Sequence, residues 1–167
     1  MLVALKPDAF VHFAWPRVER TPPTVGERIG ALMAEGGWSG AESWALQANS
    51  IGPTLVGGSR KHGGPDLGPT RARAAWLRLG VDGRSLADAP PAADAPADFV
   101  PRLTVRMAAA VQGFPDQWQF SGRKTSAYRQ VGNAFPPPVA EAVGAAIREA
   151  LEAAAAQRTS PRLRIVS

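Results

Sequence analysis

Proline and glycine make up nearly a fifth of this chain, with 16 Pro and 17 Gly among 167 residues. Both oppose regular helix and strand, proline because it removes a backbone donor and glycine because of its conformational freedom. Large aromatic side chains are few, with six Phe, five Trp and one Tyr. The length suits one ordinary domain, or one small domain with a docking segment, and we expect its hydrophobic core to be thin.

Apolar periodicity and capping residues predict five helices. The first begins at Thr24, which has capping-box spacing to Glu27, and stops at Gly36. The last begins at the proline run 136–138 and carries an apolar stripe with a step of four residues. The apolar stripe of this last helix is Val139, Val143, Ile147 and Leu151. The three helices between the first and the last cover residues 41–49, residues 69 or 70 to 79, and residues 105–112. The helix over residues 105–112 is capped by Thr104 and closed by Gly113.

Two short apolar runs are predicted as strands. Residues 2–5 read Leu-Val-Ala-Leu and suit a buried strand whose partner lies elsewhere. Residues 54–56 lead into a glycine-rich segment with cationic side chains that extends to residue 73. Residues 87–98 are rich in Ala, Asp and Pro without an apolar period, which predicts a linker. Short strands among helices predict an α+β fold.

The charge is carried almost entirely by arginine. The net charge of +5 results from 16 Arg and 3 Lys against 14 acidic residues. Arginine presents a planar fork that pairs two acceptors at once, which suits phosphate or guanine partners. A high arginine content with abundant alanine and proline is also typical of a GC-rich genome, and both interpretations stay open.

Several function classes are excluded by what the sequence lacks. It has no cysteine and only two histidines, so disulfides, thiol nucleophiles and a Cys/His metal site are excluded. No acidic pair has a spacing that indicates general acid and base catalysis. No apolar stretch approaches the ~20 residues of a membrane span, and the apolar start is too short for a signal peptide. We expect a cytoplasmic protein with neither a membrane nor a metal partner.

Two segments towards the C-terminus carry a family resemblance. Residues 102–116 read Arg-Leu-Thr-Val-Arg-Met-Ala-Ala-Ala-Val-Gln-Gly-Phe-Pro-Asp, and residues 128–140 read Tyr-Arg-Gln-Val-Gly-Asn-Ala-Phe-Pro-Pro-Pro-Val-Ala. The first resembles motif nine of the DNA cytosine-5 methyltransferases and the second resembles motif ten, in the order and at the spacing of that family. Met107 and Ala110 depart from motif nine, where the family often has a glutamate and a basic residue. We therefore expect some local ion pairing of the family to be absent.

The resemblance implies that the chain is the C-terminal, DNA-reading part of such an enzyme. In that family a cysteine thiolate attacks cytosine and S-adenosylmethionine supplies the methyl group. Because this chain has no cysteine, we expect it to be inactive alone and to need a catalytic half carrying motifs one to eight, besides double-stranded DNA. A basic DNA-binding remnant or regulator without enzymatic role is the alternative.

The resemblance also implies a division into domains. Residues 1–22 would be a strand and linker of the catalytic domain, and residues 23–120 the target recognition domain with the motif nine helix. Residues 121–157 would be the motif ten segment and a helix that docks on a Rossmann-like catalytic domain absent from this chain. Residues 158–167 would be a disordered tail.

Site residues follow from the two motifs. Motif ten implies that Asn133, with Ala134 and Gln130, lies on the surface that faces the cofactor pocket. A plain turn before the last helix is the alternative interpretation of Gly132 and Asn133. Motif nine implies that Arg106 is a structural organiser that holds the target recognition domain to the motif nine helix.

Basic and hydroxyl side chains in two segments are the candidates for DNA contact. Arginine suits bidentate contact with guanine, whereas lysine and hydroxyl groups suit phosphate. A solvated surface is the alternative for each of them. The candidates are Arg60, Lys61, His62, Arg71, Arg73, Arg123, Lys124 and Thr125.

Overall fold

The computed structural model describes residues 1–17, 21–57 and 65–159. The chain folds as two compact units. Unit 1 combines Met1–Arg20 with Pro137–Ser167, and unit 2 is Thr21–Pro136. The predicted domains were placed by their expected position in a complete methyltransferase, and they stay a prediction.

The regular secondary structure of the described residues is helical. All five predicted helices are confirmed, each within about two residues of its expected ends, and two further helices were not predicted. The helices are α1 (Pro7–Phe10), α2 (Val25–Ala34), α3 (Ala41–Gln47), α4 (Thr70–Arg78), α5 (Val105–Gln112), α6 (Lys124–Asn133) and α7 (Pro137–Thr159).

Two helices of unit 2 begin with reciprocal caps. At α2 the Thr24 hydroxyl accepts a hydrogen bond from the Glu27 amide, and the Glu27 carboxylate accepts one from the Thr24 amide at 2.7 Å. At α5 the Thr104 hydroxyl accepts from the Met107 amide, and the Met107 sulfur accepts from the Thr104 amide at 3.4 Å. The thioether therefore occupies the capping position of a glutamate in the usual capping box. Gly113 ends α5 with a left-handed φ of 85°.

The core of unit 2 forms where α2 packs against α3 and α5, and α5 packs against α6. The inner face of α2 carries Val25, Ile29 and Met33, which are buried. Burial of each such side chain is worth roughly 1.5–3 kcal/mol. The largest fully buried side chains of this core, besides those of α2, are Trp76, Tyr128, Leu67, Leu103, Met107, Val81 and Val131.

The segment predicted as a linker is part of unit 2. Ala92 forms an isolated antiparallel bridge with Gly37, and the Trp38 indole donates a 2.7 Å hydrogen bond to the Pro96 carbonyl. Pro91 is buried. The linker prediction for residues 87–98 is therefore wrong, because this segment pairs and packs through its backbone and proline rings rather than through an apolar period.

The two predicted strands are not strands. Residues 1–6 have no regular structure and Leu2 is 91% exposed, while residues 51–57 are irregular although Leu55 is buried. Because an apolar run becomes a strand only where a partner offers backbone groups, periodicity alone does not decide the matter. The described residues contain no strand, so the predicted α+β class is not confirmed and the described fold is helical.

Unit 1 consists of α1 packed against α7. Its buried side chains are small, namely Ala9, Val143, Ala150 and Ala154. Arg158 on α7 pairs with Asp8 on α1 at 3.0 Å. The helix continues to Thr159, past the predicted start of a disordered tail at residue 158, and residues 160–167 lie outside the described residues.

The predicted apolar stripe of α7 is divided between the inside and the outside of unit 1. Val143 is buried within the unit and Ile147 is partly buried, whereas Val139 and Leu151 are 43% and 48% exposed. The stripe steps by four residues while a helix repeats every 3.6, so its ends turn away from its middle.

Candidate cofactor and nucleic-acid interface

Besides their apolar packing, the two segments that resemble motifs nine and ten are linked by hydrogen bonds from one side chain, that of Gln112. Gln112, the last residue of α5, donates hydrogen bonds from its amide to the carbonyls of Val131 at 3.1 Å and Ala134 at 3.2 Å. The last carbonyls of a helix have no partner within the helix. Gln112 therefore satisfies the C-terminal end of α6 and fixes it against α5.

Two arginine contacts tie α5 to α2. Arg106 forms 2.8 Å hydrogen bonds from one guanidinium nitrogen to both carboxylate oxygens of Glu35, the residue that ends α2. Arg28 of α2 donates to the carbonyls of Ala110 at 2.8 Å and Phe114 at 3.4 Å. The α2 helix is thus attached near both ends of α5.

Helix α6 begins at Lys124, one of the candidates for DNA contact, and ends with Gly132 and Asn133. Its inner face is Ala127, Tyr128 and Val131, which are buried and spaced by one turn. Burial raises the pKa of the Tyr128 phenol above its usual value. Gly132 and Asn133 are the last two residues of this helix, so the alternative interpretation of them as a turn before α7 is wrong.

The three residues assigned to the cofactor surface have different surroundings. The Gln130 amide donates to the carbonyls of Ser121 at 2.9 Å and Ser126 at 3.2 Å. Ala134 is partly buried and its carbonyl accepts from Gln112. The side chain of Asn133 lies against the backbone of Gly57, and the residue is otherwise exposed.

The candidates for DNA contact are separated along unit 2. Arg60, Lys61 and His62 lie outside the described residues. Arg71 is exposed at the start of α4, and Arg73 donates to the Thr70 hydroxyl at 3.3 Å. At the start of α6, Arg123 and Thr125 are exposed.

Lys124 is engaged within unit 2. Its ammonium group donates to the Leu86 carbonyl at 3.2 Å and pairs with the Asp88 carboxylate at 2.9 Å. Its charge is therefore already balanced by a neighbouring carboxylate.

A groove of about 720 Å³ is lined by the charged residues Asp82, Arg84, Asp88, Arg102 and Lys124 among mostly apolar neighbours. Asp82 lies at this groove and accepts from Arg84 at 2.9 Å and from Arg102 at 3.0 Å. The hydrogen bond from Arg84, followed by that from Arg102, holds the pKa of Asp82 well below its usual range. Arg84 and Arg102 were not selected from the sequence, although Asp82 and Arg84 are separated by the single residue Gly83, a spacing that suits a local turn.

The family model for C-5 cytosine-specific DNA methylase matches residues 69–149, from the start of α4 into α7. The chain is 58% identical over 152 residues to the type II methyltransferase M.NaeI of Lentzea aerocolonigenes, a match that covers 90% of this chain and 37% of that protein. It belongs to the C-5 cytosine-specific DNA methylase family.

Other relatives of this methylase chain agree. Over 160 residues it is 44% identical to the type II methyltransferase M.NgoMIV of Neisseria gonorrhoeae, covering 91% of this chain and 48% of the relative. A shorter match, 53% identical over 51 residues, covers 30% of the chain and 3% of DNA (cytosine-5)-methyltransferase 1B of Oryza sativa subsp. japonica. The chain thus spans less than half the length of the first two relatives. No solved structure matches it.

The three residues that motif ten implies for the cofactor surface, Gln130, Asn133 and Ala134, lie at the end of α6 and just after it. Members of this family use S-adenosylmethionine as the methyl donor, so the fit of that molecule depends on free polar groups at the end of α6. The Gln130 amide is bonded to two carbonyls of its own unit, which does not fit a direct cofactor contact. Asn133 fits such a contact better, because its residue is exposed.

Two further findings bear on other site types. In residues 1–17, 21–57 and 65–159 no group of three or more His, Cys, Asp or Glu side chains is arranged to hold a metal ion. Within the same ranges no helix combines the length and apolar character required to cross a membrane.

Proposed function

We propose that this chain is the DNA-reading portion of a DNA (cytosine-5-)-methyltransferase that acts on cytosine in a specific duplex sequence. The observation that carries the proposal is the joint between motifs nine and ten. Gln112 of α5 holds the end of α6, while the same end of α6 lies against Gly57, which precedes the cationic segment. The part of a methyltransferase that faces the cofactor and the part that faces DNA would thus both be held by the end of α6.

We assign DNA contact to the basic and hydroxyl side chains of residues 60–62, of the start of α4 and of the start of α6. Arg71 and Arg123 are exposed, and a guanidinium group has the donor geometry for guanine or for phosphate. Arg60, Lys61, His62, Arg73 and Thr125 complete the proposed contact set. Lys124 is the weakest member, since it would have to leave Asp88 to reach a phosphate.

The cofactor role rests on Asn133 and the backbone of Ala134. S-adenosylmethionine, when bound, supplies the methyl group that cytosine accepts. Asn133 would offer its amide to the cofactor from the end of α6, while Gln130 would hold the chain before α6 in place through Ser121, its second bond going to Ser126 within the helix. Arg106 would act as an organiser, because its pairing with Glu35 fixes the motif nine helix to α2.

A partner is required for activity. The chain has no cysteine for the nucleophilic step of this family. The M.NaeI methyltransferase is longer, and the match leaves most of its length uncovered. We propose that an equivalent catalytic part, as another chain or as a further stretch of the same protein, supplies the nucleophile and most of the cofactor pocket.

The unit 1 surface is the proposed docking site for that part. Val139 and Leu151 on α7 are exposed, as are Leu2 and Phe10. Apolar side chains in such number at one small unit are typical of a surface that another protein body covers.

Reconstitution tests the proposal. The chain is purified alone and together with the part of the M.NaeI methyltransferase that the match does not cover, and each sample receives duplex DNA and S-adenosylmethionine labelled in its methyl group. We expect label on cytosine only in the combined sample, and protection of that DNA from a methylation-sensitive nuclease. Label from the chain alone contradicts the proposal, and DNA binding without label in the combined sample favours the non-enzymatic alternative.

A further inference from the structure

The end of α6 touches the backbone of the segment that leads into residues 58–64. A Cβ atom placed on Gly132 would lie 2.6 Å from both the Gly57 nitrogen and the Val56 carbonyl carbon. A Cβ atom placed on Gly57 would overlap the side-chain amide of Asn133, with Cγ at 2.7 Å and Nδ2 at 2.9 Å. We call this meeting of Gly57 with Gly132 and Asn133 the glycine contact.

Space, and not backbone conformation, is what requires glycine at this contact. Neither Gly57 nor Gly132 has a positive φ, in contrast to Gly113 and Gly122. Within a helix glycine is less favourable than alanine, because it loses more backbone freedom on folding. Gly132 lies in α6 at that cost because an alanine there would meet main-chain atoms that cannot rotate away.

Gly144 on α7 provides the internal comparison. It is also a helical glycine, but a Cβ atom added to it would meet nothing within 4 Å. An alanine at residue 144 is therefore free to take the helical preference, whereas one at residue 132 is not. The difference shows that helical glycines in this chain are not all equivalent and that Gly132 has a packing reason.

The chain that follows residues 58–64 is held in place as well. The Leu67 amide donates to the Gly83 carbonyl at 3.0 Å, and Leu67 is fully buried. A Cβ atom on Gly68 would lie 3.0 Å from Val56 Cγ2, so the chain before and after residues 58–64 comes together. We call Val56, Gly57, Leu67 and Gly68 the segment base.

We propose that Gly132 and Asn133 are positioning residues for DNA reading, because through Gly57 they fix the segment base, and a Cβ atom on Gly68 of that base would lie 3.3 Å from the Cβ of Ala72, the α4 residue between Arg71 and Arg73. This inference rests on the proposed function and goes beyond it, since motif ten would then act on target choice as well as on the cofactor side. Variants of the glycine contact should alter which duplex is preferred even though none of its residues carries a charge.

The geometry predicts an asymmetric pattern of rescue. The three atoms nearest to a Cβ on residue 57 all belong to the side-chain amide of Asn133, which the Asn133→Ala substitution removes. Alanine at residue 132 would meet backbone, which no change at Asn133 relieves. The Gly57→Ala and Asn133→Ala pair should therefore be coupled by about 2- to 100-fold in the opening equilibrium, whereas the Gly132→Ala and Asn133→Ala pair should be additive.

Amide exchange at Val56 and Gly57 of the whole chain measures this pattern without DNA. Gly132→Ala is expected to speed exchange by about tenfold or more, and Gly144→Ala to leave it unchanged. Protection of the α5 amides shows in each sample whether unit 2 is folded. Should Gly132→Ala prevent folding, the Gly57→Ala series still decides, because its conflict is with a side chain. Equal exchange in wild type and Gly57→Ala, or no rescue by Asn133→Ala, overturns the inference.

Selection from a pool of duplexes with a randomised centre measures the effect on DNA reading. Wild type should enrich one sequence class, and Gly57→Ala should weaken or change that enrichment, with Asn133→Ala in the same chain restoring it. If wild type and Gly57→Ala enrich the same class equally, the positioning role is overturned while the proposed function stands. If wild type enriches no class, the proposed function fails and the positioning role fails with it, even where the exchange pattern is as expected.

Discussion

Unit 2 and unit 1 bury their apolar side chains to different extents. In unit 2 the large side chains of Ile29, Trp76 and Met107 are fully buried. Among residues 1–17 and 137–158 of unit 1 the buried side chains are three alanines and one valine, while Phe10 and Leu151 remain exposed. Unit 2 therefore has a core of its own, whereas unit 1 has a small internal contact and a larger apolar surface without a partner in this structure.

Unit 2 also has more extensive side-chain hydrogen bonds between its helices than unit 1 has. In unit 2, Gln112 and Arg28 donate side-chain hydrogen bonds to carbonyls near the C-terminal ends of α6 and α5. Unit 1 has one exposed ion pair between its helices, Asp8 with Arg158, and exposed pairs contribute little. The comparison indicates that unit 2 is a self-supporting body and that unit 1 depends on something further.

The largest loss of stability in unit 2 is expected from Gln112→Ala. The substitution removes both hydrogen bonds to the end of α6 and leaves the carbonyls of Val131 and Ala134 without that donor. We expect a loss of about 1–3 kcal/mol in the free energy of unfolding of unit 2. Urea denaturation followed by tryptophan fluorescence measures it, since four of the five tryptophans lie in unit 2.

Gln119→Ala is the matched control, because Gln119 is exposed in the same unit. The control should denature as wild type does. Equal midpoints for Gln112→Ala and Gln119→Ala would mean that α5 and α6 are held together by apolar packing alone, and the joint between the two motifs would lose its polar basis.

The Asp82→Asn substitution should lower the free energy of unfolding of unit 2 by less than Gln112→Ala does, and by an amount that depends on pH. Arg84 and Arg102 hold the pKa of Asp82 below its usual range. The stabilisation by a carboxylate with a lowered pKa is fully present above the ordinary value of about 3.9 and is lost as the pH falls through the folded-state value. The difference in unfolding free energy between wild type and variant should therefore be constant from about pH 7 to pH 5 and shrink below about pH 4.

Denaturation at stepped pH measures this difference, and Asp94→Asn provides an exposed control in the same unit. A difference that grows as the pH falls would show that the Asp82 cluster does not stabilise the folded state through its charge. The effect should be smaller than that of Gln112→Ala, because the guanidinium groups of Arg84 and Arg102 are largely open to solvent.

The helices that the sequence predicts are those with local signals at both ends. For α2 and α5 the caps Thr24 and Thr104 fix the first residue, and glycine marks the end of each. Helix α6 was missed because Gly132 beside Asn133 is a usual turn signal. The reason for Gly132 is its contact with Gly57, seventy-five positions away, and no local pattern contains that information.

For the candidate site, too, local sequence patterns predict one part and tertiary contacts determine the other. Residue types and motif order were enough to identify the family, which the comparisons confirm. The link from Gln112 to α6 and the pairing of Lys124 with Asp88 depend on tertiary contacts. Which cations are free to bind DNA is therefore a property of the fold, and sequence alone ranks Lys124 and Arg123 as equals.

The smallest expected effect on unit 2 is that of Leu151→Asp, and it gives the sharpest test of unit 1 as a docking surface. Leu151 is 48% exposed on α7, whereas Val143 is buried within unit 1. An aspartate at residue 143 would disrupt unit 1 itself, so only the exposed position separates docking from folding. We expect Leu151→Asp to leave urea denaturation of unit 2 unchanged and to weaken co-purification with the catalytic part of the M.NaeI methyltransferase by about tenfold or more, because burial of a charge opposite an apolar surface is costly. Leu46→Asp changes the same residue type at a position on α3 of unit 2 that is 75% exposed, and it should leave co-purification unchanged. If both variants pair normally, the exposed side of α7 is not the docking surface, and if Leu151→Asp lowers the stability of unit 2, the two units are not the independent bodies that their cores indicate.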